Sequence, residues 1–204
     1  MLTRIGHSEK VCFMRILLSV LILIFSLQSW TKADDIKDFE IEGISIGDSL
    51  LDHLSKENID KLPAEYYPKS DEFYLVDGGF INSELYDGFQ VGLKKNYYKV
   101  YGFTAGIFFE NMKSCLIHKN KVENEISDLF NSLEKYSSKG KHDADPNGDS
   151  YMHQTQYSFT NGGVIVIECL DWSDEITNKY NWKDNFNISL ISKEYEYFLR
   201  NEAY

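Results

Sequence analysis

The sequence predicts an α+β fold: an antiparallel sheet with helices packed on one face, in a helix-then-strands order that occurs twice. Three observations point there. Alternating apolar runs follow one another with only turns between them, as at 89–93 and the aromatic run after Lys95-Asn96. One long segment, 112–133, repeats its apolar residues at three- and four-residue steps. No low-complexity linker or long repeat interrupts 34–204, so a single domain is expected there.

Taken in order, Ile41-Glu-Gly-Ile-Ser-Ile46 reads as a short strand. Gly47-Asp48-Ser49 then turns the chain into a helix with Leu50, Leu51 and Leu54 on one side. Asp48 or Ser49 can cap it, and Ser49 with Asp52 has capping-box spacing. A second helical turn, 55–62, stops at Pro63, and 71–76 reads as a strand. Phe89, Val91 and Leu93 alternate with Gln90, Gly92 and Lys94, and the chain returns over 97–109. Asn111 caps the clearest helix, whose apolar side carries Met112, Cys115, Leu116, Val122, Ile126, Leu129, Phe130 and Leu133, with His118 on the polar side. Residues 134–149 read as a polar loop. A hairpin, 151–159 with 164–170, crosses Asn161-Gly162-Gly163. Phe186, Ile188 and Leu190 mark a last strand, and Ser192 caps a terminal helix.

The first 33 residues have the three-part layout of a secretory signal peptide. Arg4, Lys10 and Arg15 precede the apolar run 16–27, and Thr31-Lys32-Ala33 offers a cleavage site before Asp34. The run falls short of the roughly 20 residues a spanning helix needs, so no stable membrane insertion is expected after cleavage. Met14 opens an equally good, shorter leader, and both starts stand. The expected location is periplasmic or secreted. Without residues 1–33 the chain keeps 17 basic and 31 acidic residues, a net charge of −14. That field repels phosphate backbones and anionic lipid surfaces, which argues against nucleic-acid partners and favours cations or basic ones. Cys12 leaves with the leader, so Cys115 and Cys169 remain. They form either one disulfide, closing a loop of roughly 55 residues worth about 4 kcal/mol, or two buried thiols.

Three motifs carry chemistry. Gly47-Asp48-Ser49-Leu50 is similar to the opening block of the GDSL esterases and lipases, which makes Ser49 a candidate nucleophile. A serine hydroxyl needs a histidine base and an oxyanion donor. The D-x-x-H and G-x-N-D blocks that supply them in that family are absent, and the last histidine is His153. The bland alternative is a helix cap. Asp143, Asp145, Asn147 and Asp149 match the first half of an EF-hand-type loop. Gln154 stands where the bidentate Glu belongs, so only a weakly held calcium ion is expected, and no other cofactor. Asp145-Pro146-Asn147-Gly148 equally suits a plain β-turn. Trp172, Tyr180 and Trp182 lie in one inter-strand connection, where they either stack on a sugar ring or cover one end of the core.

The block Ile41-Glu-Gly-Ile-Ser-Ile-Gly-Asp-Ser-Leu-Leu-Asp52 resembles the start of uncharacterised exported proteins of AT-rich marine alphaproteobacteria. So do the Tyr86-Asp87 strand start, the helix around Cys115 and the Ile167-Glu-Cys169 strand end. That resemblance implies an exported location and this fold class, and it names no activity. The glycine-flanked turn before a capped helix also resembles small periplasmic modules of the β-lactamase-inhibitor-protein type. The expected function is therefore a small exported binding or accessory module with an unidentified partner. A Ser49 esterase and a calcium-stabilised structural protein stand as alternatives.

Overall fold

A computed structural model describes residues 35–130, 133–142, 144–145 and 148–204. The signal-peptide segment lies outside them, as do Asp143 and Asn147 of the acidic loop. The described residues belong to one compact unit, Ala33–Tyr204. Among them, no helix is long and apolar enough to cross a membrane.

The chain enters through a 3-10 turn, Ile36–Asp38, and a small ladder of β1 (Glu40–Ile41) with β2 (Ile44–Ser45). Here the single strand expected over 41–46 is a hairpin. Glu42 and Gly43 both adopt positive φ, the signature of a tight primed turn, and Ile41, Ile44 and Ile46 still reach the core. A second 3-10 turn, Leu50–Asp52, and the short helix α1 (Lys56–Ile59) follow. Leu50 is fully buried, whereas Leu51 is exposed, because three residues of 3-10 helix do not present the expected leucine face.

Eight strands then build one antiparallel sheet from two four-stranded meanders. The first comprises β3 (Ala64–Tyr66), β4 (Phe73–Asp77), β5 (Gly88–Lys94) and β6 (Val100–Phe108). The second comprises β7 (Glu134–Lys141), β8 (Tyr151–Ser158), β9 (Val164–Asp171) and β10 (Asn185–Ile191). Their last strands meet at the centre, from Asn185 opposite Phe108 to Ile191 opposite Gly102. Helix α2 (Met112–Leu129) links the halves, α3 (Asp174–Tyr180) joins β9 to β10, and α4 (Lys193–Asn201) ends the fold.

The class is the α+β one the sequence predicts, with two differences in the strands of the large sheet. Residues 134–141 form strand β7 where a loop is expected, and β3 adds an edge the sequence does not signal. Both are edge strands with largely exposed residues, so neither shows the apolar alternation of a half-buried strand. The helices also divide between the faces. Ile167, Cys169, Phe186, Ile188, Phe103 and Val91 share the α2 side with Cys115 and Ile126. Tyr195 and Phe198 of α4 instead meet Phe73 and Leu75, on the side to which Gly92 and Gly102 open. Successive strand residues point oppositely, so β4 serves both clusters at once.

Cys115 of α2 and Cys169 of β9 stand at disulfide distance, with Cα atoms 6.1 Å apart. Asn111 caps α2 by accepting from Ser114 N at 3.0 Å. The inner stripe of α2 departs from expectation at three places. Leu129 is exposed, His118 packs between Phe109 and Phe186, and Lys119 is buried.

Candidate functional site

Four aromatic rings from three chain segments form a ladder at one end of the second meander. His142 follows β7, Trp172 follows β9, and Tyr180 and Trp182 flank the end of α3. Ring centroids lie 4.5 Å apart for His142 and Trp172, 4.7 Å for Trp172 and Trp182, and 5.1 Å for Trp182 and Tyr180. The first two pairs are tilted and the last is stacked, arrangements that suit the quadrupoles of aromatic rings. Trp182 and Tyr180 are 41% and 48% exposed, so the outer rungs face solvent.

A buried polar hub holds these segments together. Asp145, only 5% exposed, accepts through Oδ2 from Ser150 N, Ser150 Oγ, Ser173 Oγ and Asp149 N. Ser150 Oγ accepts in turn from Ser173 N, and Ser173 Oγ caps α3 by accepting from Ile176 N. Asn181 closes α3 in the left-handed conformation, which turns the chain back so that Trp182 meets Trp172. Asp184 fixes Trp172 by accepting from its backbone N–H at 3.0 Å. Burial, and then the neighbouring Asp184 carboxylate, push Asp171 above the usual carboxyl range. The result is a pinned aromatic surface with two acceptors beside it, able to stack on a flat apolar face and accept hydrogen bonds at its rim.

A second buried polar centre lies under α2. Lys119 is 6% exposed and donates to Glu123 Oε1 and to Thr155 Oγ1 of β8. Glu123 also accepts from Thr155 Oγ1 at 2.7 Å and from Lys135 of β7 at 3.0 Å. Burial acts to raise the Glu123 carboxyl, but the hydrogen bonds from Lys119, Thr155 and Lys135 prevail and hold it at about 2. Tyr157 donates to the carbonyl of Glu123, and Ser137 Oγ meets Thr155 Oγ1. Every charge here has partners, so the centre binds helix to sheet.

Of the residues singled out from sequence, Cys115 meets Cys169 and the tryptophan segment assembles, while Ser49 and Asp145 take local structural roles. Ser49 caps its 3-10 turn, its hydroxyl accepting from Leu51 N at 3.3 Å, and no described histidine hydrogen-bonds to it. The neighbouring backbone is fastened to the start of β6, with Leu50 N donating to Tyr98 O and Val100 N to Asp48 O. In the acidic loop, Gly148 N donates to Asp145 O at 2.9 Å, which is the β-turn alternative. Asp145 serves the Ser150–Ser173 hub described above. Among the described residues, no group of three or more His, Cys, Asp or Glu side chains is placed to hold a metal ion.

Sequence reasoning singles out the tryptophan segment but neither α3 within it nor His142 as its fourth ring. Lys119 carries a legible signal: a lysine at the i+4 step from Cys115 in an otherwise apolar stripe. Comparison with known proteins adds no relative: no protein family, no curated protein and no solved structure matches the chain.

Proposed function

We propose that this chain is an exported binding module that holds a saccharide against the Trp172–Trp182–Tyr180 ladder. The observation that carries the reading is the combination of exposed outer rings with a buried hub that fixes them. A rigid aromatic surface binds without the entropy cost of ordering mobile side chains. Sugar rings present C–H faces to such surfaces, and the carboxylates beside Trp172 are Asp171, its neighbour in the chain, and Asp184, which accepts from its N–H. Export is supported by the leader layout and by two cysteines at disulfide distance, a feature of oxidising compartments. The Ser49 hydrolase reading has no such support, since its hydroxyl is engaged as a cap.

The third tryptophan, Trp30, belongs to the leader, so both tryptophans of the mature chain sit in the ladder and report on it directly. Titration with neutral oligosaccharides should shift their fluorescence saturably. Trp182→Ala should weaken binding roughly 30-fold, the scale of an aromatic hot spot, while leaving the thermal midpoint nearly unchanged. A panel of β- and α-linked oligomers that leaves the fluorescence unmoved rejects the reading, as does a Trp182→Ala variant that binds like the parent.

A further inference from the structure

Away from the ladder, five chain segments enclose an open cleft of about 240 Å³. The 3-10 turn Ile36–Asp38, the loop after β2, the approach to β6, the β8–β9 turn and the start of α4 all line it. Three lysines from widely separated positions converge there: Lys37, Lys99 and Lys193. Two glycines lie beneath the lysine stems. At Gly47 a Cβ would sit 3.5 Å from Lys99 Cε and 3.9 Å from Lys37 Cδ, so both stems cross this one residue. At Gly162 a Cβ would overlap the Lys193 stem outright.

We propose that this cleft binds a small oxyanion of the phosphate class. Two acids, Asp35 and Glu194, line it beside the three lysines. Asp35 caps the first turn by accepting from Lys37 N, and Glu194 pairs with Lys94 at 2.5 Å. Lys37, Lys99 and Lys193 have no carboxylate within 4.0 Å among the described residues. Like charges gathered over two glycines repel one another, and an anion between them reverses that repulsion. The contrast with the rest of the chain is chemical: a mature net charge of −14 disfavours anions everywhere except at such a cluster. The first turn of α4 brings the positive end of its dipole to the same place, offset by Glu194 and Glu196 in that turn. The ligand's phosphate could come from free solution or from a lipid headgroup; the recognition chemistry is shared. This proposal stands independently of the saccharide reading.

The test uses the purified protein and inorganic phosphate at constant ionic strength, balanced with sodium chloride. Phosphate should raise the thermal midpoint in a saturable manner and shift the amide resonances of Gly47, Gly162 and Lys193. Lys99→Gln should weaken affinity roughly tenfold, the scale of one charge-assisted hydrogen bond, and the Lys37→Gln/Lys99→Gln/Lys193→Gln variant should abolish it. Lys113→Gln, on the exposed side of α2, should bind as the parent does. A phosphate response equalled by chloride overturns the proposal, as does binding that survives in the triple variant. Co-sedimentation with phosphatidylglycerol vesicles but not phosphatidylcholine vesicles, lost in the triple variant, assigns the phosphate to a headgroup. Binding of free phosphate without co-sedimentation assigns it to solution.

Discussion

In the β3–β6 half of the sheet, α4 lays Tyr195 and Phe198 on Phe73, and ring contacts of 5.1 and 4.8 Å fill the space. In the β7–β10 half, α2 also packs on apolar residues of β9 and β10 but is fastened in addition by directional links: the Cys115–Cys169 pair at β9 and the Lys119–Glu123–Thr155 centre at β8. The difference follows from what each strand can offer. Strands β4 and β6 supply apolar side chains to both faces, and β5 leaves room for Tyr195 at Gly92, so dispersion and apolar burial hold their helix. Strand β7 offers Lys135 and Ser137 on the helix side, and β8 offers Thr155. A helix over such a surface needs polar partners of its own, and Lys119 and Glu123 provide them. The halves should therefore respond differently to reductant and to acid.

The largest effect is expected from the cysteines. Cys115→Ser with Cys169→Ser should cost about 4 kcal/mol of stability in denaturant titration, the loop-closure scale for roughly 55 residues. Hydrogen exchange should show where: amides of α2, β8 and β9 should lose protection before those of β4 and β5. Equal loss of protection in both halves would break the comparison.

Glu123→Gln comes next, at about 3 kcal/mol near neutral pH, because it strands the Lys119 charge under the helix. Its pH dependence sharpens the point. The folded carboxyl is held at about 2, below its unfolded value of about 4.3. A depressed carboxyl contributes stability that is fully present above the unfolded value and is lost as pH falls toward the folded one. Thermal midpoints measured from pH 5 to pH 2 should therefore fall less steeply in Glu123→Gln than in the parent. Parallel curves would mean that Glu123 does not carry the acid sensitivity of this half.

These contrasts mark which parts of the molecule are legible in sequence. Strands β5, β6 and β10 alternate over part of their length and β9 is an apolar run buried on both faces, and both patterns show in the sequence. The caps Asn111 and Ser192 are equally plain, because a cap needs only its own neighbours. Strand β7 is not, since an edge strand carrying Lys135, Lys139 and Lys141 leaves no apolar pattern. The ladder is half legible: Trp172, Tyr180 and Trp182 are close in sequence, while His142 joins them only through the Asp145–Ser150–Ser173 hub. In the same acidic loop Asp145 reads locally as a cation ligand, and its carboxylate ties Ser150 to Ser173. Chemistry that depends on a partner remote in sequence leaves no local signal.

The smallest effect concerns Ser49, which tests whether the apolar half also hides a directional link. Its hydroxyl satisfies one N–H of a three-residue turn, and the chain on either side is already held by backbone bonds to the β6 approach. Ser49→Ala should therefore cost about 1 kcal/mol, the usual value for a lost N-cap. Ser49→Asp should restore most of that loss, since an aspartate accepts the same bond and complements the turn's positive end. A nucleophile behaves in the opposite way: Asp at its position would abolish turnover, and Ala would leave stability untouched. Thermal melts of the two variants, run beside an assay with short acyl esters, separate the roles. Recovery of stability in Ser49→Asp without any ester turnover in the parent identifies the hydroxyl as a cap. Turnover in the parent that vanishes in both variants would instead put a reactive serine in the half held by apolar packing.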